Sequence, residues 1–389
     1  MDFSLTKKHQ DIYDKVGELG RTRFAARAAW HDANPTVSPV ENLKDLFDAG
    51  LAGASVREDI GGLGGGALGT DPLASLLVVE QTARYCMSTA QCIHIHYNAS
   101  HRVDQIGTEE QRDRLIQPIV ARGAWLNSTG SEPGRTARGL YNLQTTAEKV
   151  DGGWVLNGVK NYATLADAVH YNTLSTVIKG VAPPDGHVSF AIPQGAPGLT
   201  IEPGSWNPIG MRGAFSPVLI LKDLFVEDRN LLGLPGDSAK GKWQAKSHLS
   251  FAAQYIGGCE GVFDFLKDYV PKRGTATESY TQLRMGEIRI AIDSARWLIY
   301  RAAWLWQQKD IAGAELFSMN AKHQALNAAI LTIDRGTQIA GSSALSADGT
   351  LSRFIRDLHY QALHENTDKT AATVGKYHLG QAFDVTSRL

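Results

Sequence analysis

Two changes of texture along 389 residues limit what this chain can fold into. Residues 1–122 carry helical periodicity, as in LTKKHQDIYDKVGELGRTRFAARAAW and DPLASLLVVEQTARYCMSTAQCIHIHYNASHRV; apolar positions recur every three to four residues. Residues 123–236 read instead as short β-rich runs divided by turns, among them HVSFAIP and VLILKDLFV. From 237 to 389 the helical period returns in long segments: Ser247 to Val270, Tyr280 to Lys309 and Ala314 to Ile339. A parallel α/β sheet needs strand and helix to alternate, so this order excludes one. The expected class is α+β in three units: an N-terminal helical domain, a central β domain and a C-terminal helical domain.

Local signals agree with that division. Thr145 to Val150 and Trp154 to Leu156 flank Asp151-Gly152-Gly153, a hairpin signal. The glycine-rich break EDIGGLGGGALGT has neither a preceding strand nor GxGxxG spacing. It is a poor phosphate loop, and its glycines are expected to allow a tight turn against something bulky. A formal net charge of -1 gives no electrostatic case for nucleic acid or an anionic membrane. No run approaches about eighteen consecutive apolar residues, so no membrane span is expected. The N-terminus MDFSLTKKHQ lacks the apolar stretch of a signal peptide. Cys86, Cys92 and Cys259 have no paired spacing, which suggests buried thiols in a reducing, cytoplasmic setting. Cys92 and His96 stand four apart, but no further ligand cluster lies nearby, so no metal is expected.

Several strings in this order resemble the acyl-CoA dehydrogenase superfamily along nearly the whole chain. EDIGGLGGG is similar to the family's glycine-rich turn, and Ser131-Glu132-Pro133-Gly134 to its Thr-Glu-Pro-Gly string beside the flavin. VDGGWVLNGVKNYAT resembles the family hairpin and the strand after it, with Tyr162 and Thr164 in flavin-facing places. Ile209-Gly210-Met211-Arg212 followed by LKDLFVEDRNLLG resembles the stretch that closes the β domain. The resemblance implies a central β-barrel domain, a C-terminal four-helix bundle and a flavin, FMN or FAD, between them. It also implies a homotetramer, because the cofactor's far end reaches a neighbouring subunit in this family. Ser128, Thr129, Ser131, Tyr162, Thr164, Arg273 and Ser342 are the cofactor-binding candidates. Arg273 falls near the family's pyrophosphate-binding string, here without its Phe-Gly. Ser342 lies in GSSAL, wording closer to the family's monooxygenase branch.

The family holds both dehydrogenases of acyl-CoA thioesters and flavin monooxygenases, a branch that includes dibenzothiophene monooxygenase. The residues that decide between them are expected on one long helix spanning Arg353 to Gly380, where His364 and Glu365 stand side by side. Adjacent helical residues point about 100° apart, so a pocket faces one of them squarely. A dehydrogenase needs a carboxylate base, and Glu365 falls in the family's place for it. Lys369, four residues on, can equally hold Glu365 in a surface ion pair. A monooxygenase needs imidazoles and hydroxyls around a reduced flavin shielded from water. By resemblance to that branch, His364 and His96 are the pocket histidines, with Asp368 orienting His364 and Thr164 in an active-site hydroxyl position. His94 and His96 lie about 200° apart on a helix, so at most one faces the flavin. The preferred expectation is a two-component monooxygenase acting on a small sulfur-, nitrogen- or ring-containing substrate. It would use O2 and reduced flavin from a separate NADH-dependent reductase, since the chain shows no nicotinamide-binding βαβ unit. The alternative is an FAD-dependent acyl-CoA dehydrogenase with Glu365 as base. Arg356-Asp357 is read as an ion pair at a helix start, and Trp297, Trp304 and Trp306 as packing between helices.

Overall fold

The computed structural model describes residues 4–134, 143–363 and 367–385. The first block holds helices α1 (Lys7–Leu19), α2 (Ala25–Ala33), α3 (Val40–Asp48), α4 (Pro72–Tyr85), α5 (Met87–Ile106), α6 (Glu109–Gln111) and α7 (Gln117–Arg122). Proline opens α4 where its missing N–H costs nothing. The helix is apolar nearly all round, from Leu76 to Val79 and on to Ala83, so it runs through the core. Gly123, at φ +68, ends α7 in the left-handed conformation that stops a helix, and the chain then enters the sheet.

Seven strands follow: β1 (Leu126–Thr129), β2 (Thr146–Val150), β3 (Gly153–Lys160), β4 (Tyr171–Ile178), β5 (His187–Pro193), β6 (Leu199–Glu202) and β7 (Val218–Glu227). Their order is β1-β4-β2-β3-β7-β6, with β5 branching from β4. The expected hairpin is present: Val150 pairs with Gly153 across a two-residue turn, with Gly152 at φ +70. The register between β3 and β7 shifts at Gly158, where an added Cβ would lie 2.6 Å from Thr145 Oγ1. Such an irregularity bends and twists a strand, and the sheet curls around its own core of Trp154, Leu156, Phe190, Leu221 and Leu224. It is a half-barrel.

The last block contains two short helices, α8 (Asp237–Lys240) and α9 (Trp243–Lys246), and then α10 (His248–Arg273), α11 (Ser279–Gln307), α12 (Ile311–Ala340), α13 (Thr350–Ala362) and α14 (Thr367–His378). α10 to α13 pack as a bundle, and α4 lies along α10. At Gly257 an added Cβ would sit 2.1 Å from the Glu80 carbonyl oxygen, so glycine is what lets the two backbones approach. Leu77, Val78 and Ile93 share one core with Ile256, Cys259, Ile292 and Leu358. The first and last blocks are thus joined, and the half-barrel packs beside them.

Three expectations need correction. The single long helix from Arg353 to Gly380 is two helices, with α13 ending at Ala362 and α14 starting at Thr367; His364, Glu365 and Asn366 lie outside the described residues. Arg356 and Asp357 do not pair with each other. They sit mid-helix pointing in different directions, and Arg356 holds Asp32 while Asp357 accepts from the Met211 amide at 2.6 Å. Of the three tryptophans only Trp306 is buried; Trp297 and Trp304 are each 47% exposed on α11. The three cysteines are buried free thiols. Among the described residues no helix is long and apolar enough to cross a membrane, and no cluster of three His, Cys, Asp or Glu could hold a metal.

Candidate active site

A cavity of about 800 Å³ opens where α4, α5, the strand ends of the half-barrel, α9, α10 and α13 meet. One face of α5 lines it through Gln91, His94, Asn98 and Arg102, the three-to-four spacing of a single helical stripe. Gly66 and Ala67 of the glycine-rich break also reach it. Gly66, at φ +86, would place a Cβ 2.5 Å from the His101 ring, so the bulky group expected beside that turn is this imidazole.

The structure separates the α5 histidines by role. His94 lines the cavity, fully buried, with its ring edge-on to Phe251 at 4.1 Å between centroids. His96 faces the opposite way and lines nothing. Its Nδ1 accepts the Leu126 amide at 3.0 Å, so Nε2 carries the proton and donates to the Ala52 carbonyl at 3.1 Å. Burial pushes its pKa down to about 4, partly opposed by the two backbone bonds. It is a neutral strut joining α5, β1 and the segment after α3. The histidine on the cavity face is therefore His94, not His96.

Other candidates are brought together at the β1 and β3 ends. Ser128, Ser131, Tyr162 and Thr164 all line the cavity. Ser131 bridges Asn161, while Tyr162 stands half-exposed with Trp206 edge-on at 6.3 Å. Thr164 Oγ1 lies 2.9 Å from Ser216 Oγ, and the Ser216 hydroxyl donates to the Ala214 carbonyl. Thr164 must then give its proton to Ser216, which leaves its lone pairs as acceptors toward the cavity. Thr129 is buried behind this row, outside the lining.

Glu132 is the only acid among the described lining residues, and it is already engaged. Lys160, fully buried, reaches it at 3.1 Å, and the amides of Gln144 and Thr145 donate to it at 2.7 and 2.8 Å. Burial raises the Glu132 pKa, but Lys160 and these amides outweigh it and hold the carboxylate ionised. Burial lowers Lys160 to about 8 against the pull of Glu132.

Arg273 and Ser342 lie together but away from the cavity. Arg273 donates to the Ala340 carbonyl and sits over Tyr269, whose hydroxyl is 3.2 Å from Ser343 Oγ. They form one exposed patch at the ends of α10 and α12. His364 and Glu365 lie outside the described residues, although Leu363, the residue before them, lines the cavity.

Sequence reasoning missed His94, Arg102, Trp206 and Gln361 on the cavity wall. The stripe 91-94-98-102 was visible as a helix face, but nothing local said which face turned inward. The residues at the strand ends fit a flavin. Asn161 Oδ1, on the cavity wall, is withdrawn from solvent and has no hydrogen-bond partner among the described residues. Buried polar atoms of that kind call for a partner, and a heteroaromatic group with ring nitrogens and carbonyls provides several.

Comparison with known proteins agrees along the chain. The acyl-CoA dehydrogenase N-terminal, middle and C-terminal domains match residues 6–123, 129–224 and 249–369. A short-chain-specific acyl-CoA dehydrogenase of Clostridium acetobutylicum is 27% identical over 391 residues, covering 96% of this chain and 98% of that protein. Among solved structures, butyryl-CoA dehydrogenase of Megasphaera elsdenii superposes with a TM-score of 0.87 at 23% identity, covering 97% of this chain and all of that one. FMN-bound TdsC of Paenibacillus sp. A11-2, a dibenzothiophene monooxygenase, gives 0.86 at 20% identity, covering 97% and 99%. At these identities the two superpositions speak to the fold alone.

Proposed function

Because this chain belongs to the acyl-CoA dehydrogenase family, whose members are flavin-dependent oxidoreductases, we propose that it is a flavin monooxygenase that oxygenates a small organic substrate. The observation that carries this reading is the lining of the cavity: a buried histidine, His94, with hydroxyls and amides around it, while Glu132, the one acid among the described lining residues, is held by Lys160. Proton abstraction from carbon needs a free carboxylate base, whereas oxygen chemistry needs a dry, hydrogen-bonding pocket.

Ser128, Ser131, Asn161, Tyr162 and Thr164 would hold the flavin. When bound in its reduced form, the flavin supplies the activation of O2. Thr164, restricted to accepting, would complement a ring N–H of the flavin. Phe251, Met211 and Trp206 exclude water from the same space. His94 donates or accepts a proton at the substrate side, and His364, one residue beyond Leu363, is proposed to act with it. FMNH2 or FADH2 would come from a separate NADH-dependent reductase. Arg273 and Ser342, exposed together, would meet the far end of a cofactor from a neighbouring subunit in a homotetramer.

The names of the sequence relatives favour a second reading, an FAD-dependent acyl-CoA dehydrogenase with Glu365 as base. Reduced FMN and 18O2, offered with indole, thioether and amine probes, separate the two. Substrate-dependent incorporation of 18O, lost in His94→Ala and His364→Ala but kept in Glu365→Gln, supports the monooxygenase. Anaerobic bleaching of bound flavin by butyryl-CoA, abolished only by Glu365→Gln, would replace it with the dehydrogenase.

A further inference from the structure

Among the described residues no acid neutralises Arg102. It lies on α5 two turns beyond His94, only 8% exposed, and it lines the cavity. One of its terminal nitrogens donates to Thr173 Oγ1 at 3.2 Å, the Nε–H has no partner, and no carboxylate approaches it among the described residues. Burial alone pulls its pKa down, to about 10, and no neighbouring acid offsets that. Two part-buried arginines elsewhere are paired: Arg84 has Asp264, and Arg296 has Glu80 and Glu260. A guanidinium taken out of water without a counter-ion is a standing cost to the fold. Such a cost is tolerated where a ligand supplies the missing charge.

The surroundings suit an oxyanion. Ser175 of β4 and Ser238 of α8 bring hydroxyls to this wall, linked through Ser189 at 3.3 Å to each. His187 at the start of β5 is held neutral: burial lowers it to about 4, and the charges of Arg102 and Lys160 add to the effect. Lys246 of α9 adds a second half-buried cation on the lining, its ammonium donating to the Gly241 carbonyl at 2.6 Å. This wall is made from α5, β4, β5, α8 and α9, whereas the flavin-type residues lie at the ends of β1 and β3. Eight residues of α5 separate His94 from Arg102, about 12 Å along the helix axis. An arginine side chain leans back toward the N-terminus of its helix, which shortens the gap to roughly 10 Å.

We propose that Arg102, with Ser175, Ser238 and Lys246, forms an anion subsite that selects a substrate bearing a carboxylate or phosphate on the order of 10 Å from its reacting centre. The guanidinium fork pairs with the two oxygens of such a group and is relieved of its burial cost as it does so. The inference rests on the proposed function only in taking this cavity as the substrate's.

The test is binding without turnover. Flavin-loaded protein is titrated with 4-phenylbutyrate, with its methyl ester and with inorganic phosphate, following tryptophan fluorescence, to which Trp243 on the same wall contributes. Wild type should prefer the carboxylate over the ester by at least about tenfold, a gap of 1.4 kcal/mol. Arg102→Met should erase that preference, Arg102→Lys should keep part of it, and the ligand-free Arg102→Met protein should melt higher than wild type. If Arg102→Met fails to fold, Arg102→Gln takes its place. Equal affinity of wild type for acid and ester, or an unchanged preference in Arg102→Met, overturns the proposal. So does a loss of FMN affinity in Arg102→Met with 4-phenylbutyrate binding intact, which assigns the arginine to the cofactor's phosphate. Binding of phosphate but not of phenylbutyrate, lost in Arg102→Met while FMN affinity holds, supports a phosphorylated substrate. Because no readout uses oxygenation, failure of the monooxygenase assay and failure of this proposal remain distinct results.

Discussion

Arg296→Met is expected to be among the most destabilising single substitutions in the chain, and the reason can be worked from the helices that frame the cavity. Arg296 of α11 donates through Nε to Glu80 of α4 at 2.9 Å and through Nη2 to Glu260 of α10 at 2.5 Å. Glu260 has a second cation, since Arg289 reaches both of its oxygens at 3.0 and 3.1 Å. Glu80 has no other ion-pair partner among the described residues and is 1% exposed. Methionine would fill much of the space and leave Glu80 as an uncompensated buried charge. Removing one partner of a buried pair costs about 3–5 kcal/mol. For 389 residues the unfolding entropy is on the order of 0.8 kcal/mol per degree, so the melting temperature should fall by roughly 5 °C. Burial already raises the Glu80 pKa despite Arg296, and without Arg296 it rises further. A carboxyl whose folded pKa lies above its unfolded value binds more protons when folded, so the penalty grows as pH rises above the unfolded pKa and shrinks toward pH 5. Glu80→Gln in the Arg296→Met background should restore at least half of the loss. Melting curves at pH 5 and pH 8, at fixed protein and flavin concentration, measure all of this. A fall of less than about 1 °C at pH 8, or no recovery in the double variant, would refute the reasoning.

Two further outcomes follow from the same physical chemistry. His96→Ala should cost about 2–4 kcal/mol, by orphaning the Leu126 amide and the Ala52 carbonyl, and should show as a lower midpoint in a urea titration. His96, His101 and His187 all fall to about 4 when folded, mainly through burial, so their contribution is complete above pH 6.5 and should be lost as pH drops from 6.5 toward 4; His96→Ala should flatten that acid limb, and an unchanged slope would contradict the assignment. On α11, Tyr280, Leu283, Ile290 and Trp297 are exposed apolar side chains, interrupted by Glu287 and Ser294, which a monomer would leave wet. Ile290→Glu with Trp297→Glu should therefore lower the mass measured by light scattering, and an unaltered assembly would show that this face is not where copies meet.

The order of blocks was legible because each follows from a local period. Helical stripes in residues 7–122 and 248–340 and the Asp151-Gly152 turn need no distant partner to be recognised. The break between α13 and α14 was not legible. Residues 353–380 contain neither proline nor a glycine near 363, and helical propensity runs straight through the point where the described helix stops. The exposed tryptophans were misread for a related reason. Trp297 stands beside Leu298 and Trp306 beside Leu305, so each has an aliphatic neighbour, and only the placement of the surrounding helices decides that Trp306 donates to buried Ser318 on α12 while Trp297 faces out.

The α5 histidines mark the limit most sharply. A helical wheel fixes the angle between His94 and His96 at about 200° but not the phase of the wheel relative to the rest of the protein. That phase is set by Leu126 and Ala52, thirty and forty-four residues away, whose amide and carbonyl capture the His96 ring from opposite sides. Once His96 is held there, Gln91, His94, Asn98 and Arg102 must face the cavity, because they occupy the other side of the same helix. The strut and the site are therefore one decision. His96, which sequence resemblance placed in the pocket, instead holds the side of α5 that carries His94 and Arg102 toward the cavity. A variant that frees the His96 ring should disturb both ends of the cavity at once: oxygenation near His94 and anion preference near Arg102. A direct role for His96 in catalysis would instead lower turnover and leave the preference for phenylbutyrate over its ester untouched.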